Sequence, residues 1–305
     1  MTPGGEPDRL EPGGHARGAW YGPCNHEKRE GRGYAMTTDS AQLICLYGVV
    51  RAGDRPDRGA LAQLQTIVHG RLAALVEPVP AEDFRPEALA ANLSSLEWVN
   101  RVARRHEELL GAVMETCPVI PARLCTLFSG REAVCRLLAL NEETLTGLLD
   151  RLVDREERAV KIRCDEPALR RRIADTDREA IRLAKAAAAA PPAQAFGLMR
   201  KREAQIDNLV LQRIEAAQDR LLDILEALDV EVRIKSDADQ PAARGERTLL
   251  HLAALVDRGG HANLDMALDE LAAELASDGF SIERSGPWPP YSFADGGGGA
   301  ELEVA

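Results

Sequence analysis

From residue 43 to residue 285 the chain alternates between short apolar runs and longer stretches whose apolar residues recur every three or four positions, the periods of strands and helices. Leu43-Ile44-Cys45-Leu46-Tyr47-Gly48-Val49-Val50 is continuously apolar and ends at Arg51-Ala52-Gly53-Asp54, which predicts a buried strand. Residues 65–69 and 72–76 flank Gly70-Arg71 and predict a tight hairpin closed by Pro78 and Pro80. Ser94 with Glu97 forms a capping-box pattern ahead of Leu96, Val99, Ala103, His106, Leu110 and Val113, an amphipathic helix facing a sheet. Residues 123–128 read as a strand, and after Ser129 two short helical segments run to about Arg155.

The second half has a clearer order. Val160, Ile162 and Cys164 share one face of an alternating strand, and helical sequence follows, interrupted at Pro191-Pro192. From about Gln194 a long helix carries Ile206, Val210, Ile214, Ala217, Leu221, Leu225 and Leu228 at steps of three or four. Val230, Val232 and Ile234 mark a further strand, and residues 248–256 a central one. A helix over 261–276 stops at Ser277-Asp278-Gly279 before a last strand at Phe280 and Ile282. Strand, helix, strand, strand, helix, strand is the order of the ferredoxin-like split unit, expected for residues 157–285.

Composition then limits the function. A chain of 305 residues is long enough for about two domains without metal or disulfide staples. A formal charge of -11 repels phosphate backbones, which argues against nucleic acid. No run approaches the ~20 apolar residues of a membrane span, and Gly and Pro stand where a secretory signal would be apolar, so a cytoplasmic setting without membrane contact is expected. The six cysteines show no CxxC and are expected to be reduced. Cys24-Asn25-His26 lacks a second pair to complete a metal site. Residues 1–40 hold eight Gly and four Pro and read as a disordered leader, with Met36 a second candidate start. The expected division is this leader, an N-terminal α+β domain over 41–156, a C-terminal ferredoxin-like α+β domain with the long helix over 157–294, and a flexible tail over 295–305.

Catalytic patterns are missing: there is no GxSxG elbow, no GxGxxG after a strand and no GxxxxGK[ST]. No enzyme, no cofactor and no metal is expected. His106 begins His-Glu-Glu-Leu-Leu, with Leu110 where a zinc protease needs its second histidine, and is read as a satisfied core or boundary residue. Glu107-Glu108, Glu142-Glu143 and Glu156-Glu157 are neighbours in helical-looking sequence and are expected on solvated faces. Arg170-Arg171-Arg172 and Arg200-Lys201-Arg202 lie among Asp and Glu without an adjacent stacking aromatic.

The most unusual stretch is Gly286-Pro287-Trp288-Pro289-Pro290-Tyr291-Ser292-Phe293. Its prolines hold the chain extended, and its aromatics are expected to fold back onto the sheet or between domains, with Trp288 buried. This stretch resembles the C-terminal signature of the gas vesicle protein F/L family. Leu46-Tyr47-Gly48-Val49-Val50, Pro118-Val119-Ile120-Pro121-Ala122-Arg123 with Phe128, and Gly197-Leu198-Met199-Arg200-Lys201-Arg202-Glu203 agree in order. Leu124-Cys125 departs from the Phe-Gly that the resemblance leads one to expect.

The resemblance implies two α+β domains, each a modified ferredoxin-like sandwich with helices on a mainly antiparallel sheet. It implies a non-enzymatic, cytoplasmic accessory protein of gas vesicles, the hollow protein shells that make microbial cells buoyant, whose partners are the small hydrophobic shell subunit and other accessory proteins. Arg123, Phe128, Trp288 and Tyr291 are the expected partner-binding residues. The competing reading is a ligand-dependent enzyme or sensor built on a ferredoxin-like domain, which would need a polar pocket with convergent titratable groups.

Overall fold

The computed structural model describes residues 42–54, 64–84, 86–235 and 246–294. The leader, Cys24 and His26, and the tail 295–305 lie outside them. The first half runs β1 (Gln42–Arg51), β2 (Gln65–His69), β3 (Leu72–Pro80), α1 (Ala81–Phe84), α2 (Pro86–Leu93), α3 (Leu96–Met114), β4 (Ile120–Phe128), α4 (Arg131–Leu140) and α5 (Glu142–Arg151). The second half runs β5 (Arg155–Cys164), α6 (Glu166–Thr176), α7 (Arg178–Ala189), α8 (Pro192–Ala227), β6 (Glu231–Ile234), β7 (Arg247–Asp257), α9 (His261–Leu275) and β8 (Phe280–Trp288). Each half builds a four-stranded sheet, in the orders β2-β3-β1-β4 and β6-β7-β5-β8, with every strand pair antiparallel. Both orders are that of the ferredoxin-like split unit, so the fold is α+β with two such modules.

The continuous apolar run of β1 follows from burial on both faces. Cys45, Tyr47 and Val50 meet Leu109, Leu110 and Val113 of α3, while Leu46 and Val49 meet Val134, Leu138, Leu145 and Leu149 of α4 and α5. The two faces change phase at a bulge where the β1 register shifts between Leu46 and Gly48. At Gly48 a side chain would meet the Ile120 carbonyl and the Val119 side chain at 2.8 Å, so only glycine fits this approach of β1 to β4. The α3 cap is Ser95, whose side chain accepts from the Trp98 N–H. Ser94, the expected cap, instead donates to the Ala90 carbonyl, and Leu96 lies exposed ahead of the buried stripe.

The second sheet packs Val160, Ile162, Leu252, Ala254 and Val256 against α6, α8 and α9. Part of its opposite face is buried as well: Ala253 and Leu255 of β7 enter the core of the first half, together with Phe293. Glu156 and Glu157, expected on a solvated helical face, lie on β5 and are buried. The pair reads as a continuation of the helical sequence that runs to about Arg155, but ten residues of β5 pair with β7 and carry both carboxylates into the strand. Both sheets belong to one compact unit.

Candidate partner interface

After β8 the chain turns back. Pro289 and Pro290 are buried, and a 3₁₀ turn, Tyr291–Phe293, returns the chain to the first module. Glu157, 1% exposed, holds this return: the Ser292 N–H donates to Oε2 at 2.8 Å and the Ser292 hydroxyl to Oε1 at 2.8 Å. The Lys235 ammonium donates to Oε1 at 2.9 Å. A carboxylate this deep is tolerated because charged and neutral donors replace its lost water. Phe293, fully buried, fills the gap between the modules. The guanidinium carbons of Arg151 and Arg233 stand 6.0 and 5.9 Å from its ring, within cation–π range.

Tyr291 extends an aromatic stack. The His106 ring lies 5.1 Å from Tyr47 and 6.4 Å from Tyr291, near-parallel to both. His106 Nε2 sits 3.0 Å from the Ala122 carbonyl oxygen, which can only accept, so Nε2 carries the proton. Burial lowers the His106 pKa, against the pull of that hydrogen bond, and keeps the ring neutral. The outer rings end on carboxylates: Tyr47 donates to Glu77 at 2.8 Å and Tyr291 to Glu107 at 3.3 Å. Burial, reinforced by those carboxylates, pushes both tyrosine pKa values up, and burial raises that of Glu107.

The Ala122 carbonyl belongs to an irregular stretch of β4. Phe128, Leu127 and Thr126 pair with β1, and Pro121 and Ile120 pair again, but residues 122–125 do not. Cys125 turns this stretch with φ 61°, a left-handed conformation that favours glycine. Here the sequence departs from the expected Phe-Gly, and the backbone has kept the glycine-like shape.

Of the four residues named from sequence, Arg123 is exposed on this displaced stretch, while Phe128 at the other end of β4 is core. Tyr291 packs beside α3, so the structure joins it through His106 to the backbone next to Arg123. Trp288 stands apart, 41% exposed, its indole N–H donating to the Ser285 hydroxyl at 3.0 Å. The expectation of a buried Trp288 is corrected: Phe293 takes that place, because β8 still pairs with β5 at Trp288 and the chain turns inward only afterwards. Sequence reasoning missed Glu157 and Glu107 as hydrogen-bond partners of the C-terminal return, and Tyr47 as the far ring of the stack it joins through His106. The sole signal for Glu157 was its position two residues before Ala159 on an alternating strand.

Among the described residues no group of three or more His, Cys, Asp or Glu is placed to hold a metal. Two open grooves, of about 580 and 610 Å³, lie on α5 beside Arg71 and between the end of α8 and β6. No described helix is long and apolar enough to cross a membrane.

The family model described as gas vesicle synthesis protein GvpL/GvpF matches residues 43–295. The chain belongs to this family. Among its relatives, gas vesicle protein L of a Streptomyces species is 31% identical over 279 residues, covering 85% of this chain and 94% of that protein. Gas vesicle protein F of the same species is 28% identical over 259 residues, covering 82% and 98%. The crystal structure of GvpF from Anabaena sp. superposes with a TM-score of 0.59 at 18% identity, covering 83% of this chain and 96% of that one. GvpF from Microcystis aeruginosa gives 0.57, also at 18% identity, covering 83% and 99%. These two share the fold.

Membership of the GvpL/GvpF family gives the chain a role related to gas vesicles. Three of the stretches that carried the resemblance now meet in space: Tyr47 of the first, Ala122 of the second and Tyr291 of the last surround His106. The fourth, 197–203, lies away from them on the exposed start of α8.

Proposed function

We propose that this GvpL/GvpF-family chain is a non-enzymatic accessory protein that binds the hydrophobic shell subunit, and other vesicle proteins, in the cytoplasm during gas vesicle assembly. The observation that supports the binding mode is β4: an outer strand of its sheet whose residues 122–125 leave the register with Arg123 exposed. A subunit built to pack into a shell exposes apolar surface and strand edges, which associate off pathway unless covered. An outer strand with a projecting cation can pair with an extended segment and with a carboxylate on it. The net charge of -11 keeps a complex with an apolar subunit soluble. Arg123 and Trp288 are the exposed contacts in this reading, Tyr291 orients the adjoining backbone, and Phe128 supports β4 from within.

The test is co-purification of the intact chain with the shell subunit. Wild type is expected to retain it, and Arg123→Glu to retain markedly less at an unchanged melting temperature. Failure of the wild type to retain the subunit overturns the proposal, and equal retention by Arg123→Glu overturns the role of β4. Separate halves would be poor reagents, because Ala253, Leu255 and Phe293 complete the first core.

A further inference from the structure

The α7–α8 hairpin is polarised along its length in a way its packing on the second sheet does not require. The two helices meet at a tip around Pro191. Residues 178–202 carry six Lys and Arg against one carboxylate, Glu179, whereas residues 215–231 carry six carboxylates against one cation, Arg220. The α8 backbone dipole adds to this in the same sense, positive at its start and negative at its end.

Each end also exposes apolar surface. At the tip Phe196, 68% exposed, and Met199 stand one turn apart beside Arg200, and neither Arg200 nor Lys201 has an ion-pair partner among the described residues. At the base, the groove of about 610 Å³ is lined by Leu222, Val230 and Val232, with Glu226, Asp229 and Glu231 among its walls. Ile234 of β6 stands 73% exposed and Leu228 is also exposed. Arg155, the one cation lining the groove among the described residues, is held by Asp257 at 3.2 Å, and Arg151 and Arg233 engage Glu231. Glu226 and Asp229 make no ion pair among the described residues.

We propose that the chain self-associates head to tail, the tip of the α7–α8 hairpin of one copy docking in the groove beside β6 of the next. The occupant is a second copy because the groove calls for a cationic knob bearing a large apolar side chain, and this chain carries one. An aromatic and a thioether at the tip match the apolar lining, and the free cations match the free carboxylates. The contact is heterologous, so repetition builds a ring or an open filament, the two surfaces being about 50 Å apart along α8 at 1.5 Å per residue. A knob of this size makes a small interface, sensitive to concentration and salt. The proposal is independent of shell-subunit binding.

Sedimentation velocity of the intact chain tests it. The mean mass is expected to rise with concentration at low salt and to fall back at about 0.5 M salt. Arg200→Glu with Lys201→Glu reverses the tip, and Glu226→Lys in the groove wall, with Asp223→Lys exposed three residues before it on α8, reverses the charge at the groove. Asp229, at φ 52°, is left native because lysine would strain there. Each pair alone is expected to give monomers with unchanged circular dichroism. Mixing the two variants is expected to restore association, since acidic tip then meets basic groove and basic tip meets acidic groove. A wild type that stays monomeric to about 1 mM overturns the proposal, as do reversed variants that associate like wild type or a mixture that stays monomeric. Binding of a monomeric wild type to anionic lipid vesicles through the same tip would assign the surface to lipid and equally overturn it.

Discussion

Replacing Glu157 separates the role of the C-terminal return from that of the sheet beneath it. Glu157 is nearly inaccessible and accepts three hydrogen bonds, two from Ser292 and one from Lys235. Glu157→Ala removes all three. Lys235 is partly exposed and rehydrates, so its loss is worth only about 1 kcal/mol. The Ser292 N–H and hydroxyl face inward and lose a charged acceptor, which costs about 1 to 3 kcal/mol for the pair. The expected total is about 3 kcal/mol, a large share of the 5 to 15 kcal/mol that holds a typical protein folded. Glu157→Gln keeps one acceptor oxygen and the shape but turns an amide toward a donor, for about 1.5 kcal/mol. Urea unfolding of the intact chain measures both, and hydrogen exchange at 286–294 reports whether the return detaches before the sheet opens. A loss below about 0.5 kcal/mol for Glu157→Ala, or equal losses for Ala and Gln, would refute the reasoning.

Phe293→Ala is expected to cost about 3 to 5 kcal/mol, as a fully buried aromatic at the junction of the modules, whereas Trp288→Ala, on the exposed end of β8, should cost less than about 1 kcal/mol in the same urea series. Cys125→Gly is expected to stabilise by about 0.5 kcal/mol: relief of the left-handed backbone returns about 1 to 2 kcal/mol and added chain entropy takes back most of it. Cys125→Ala, which keeps the strain, should not stabilise. Because burial lowers the His106 pKa below its ordinary 6.5, the unfolded chain binds the proton first. The stabilisation is therefore intact above about pH 6.5 and is lost as pH falls through the folded value. Glu107, raised above 4.5 by burial, acts in the opposite sense at lower pH. Melting temperatures of wild type and His106→Gln between pH 7 and 5 isolate the histidine, and parallel curves would contradict its titration.

Local pattern was sufficient where one physical signal dominated. The continuous run of β1, the β2–β3 turn, the periodic stripe of α8 and the Gly279 stop after α9 each follow from burial or backbone preference within a few residues. The ferredoxin-like strand order of the second half followed from their succession, and the family resemblance followed from four short stretches in order. What the linear pattern could not hold is any pairing between distant residues. Glu156-Glu157 looked solvated because a charged pair is indistinguishable from a helix surface until β7 and β8 pair with β5 on either side. Trp288 and Phe293, both large aromatics in a proline-rich segment, were equal candidates for burial. Only the return of the chain after β8 decided between them, because the space it fills is built from both modules. His106 was legible as a core histidine, but its place between Tyr47 and Tyr291 depended on three segments meeting across 244 residues of chain, 47 to 291. Periodicity records which face of an element is buried, whereas the identity of the covering surface is set by packing between elements far apart in sequence.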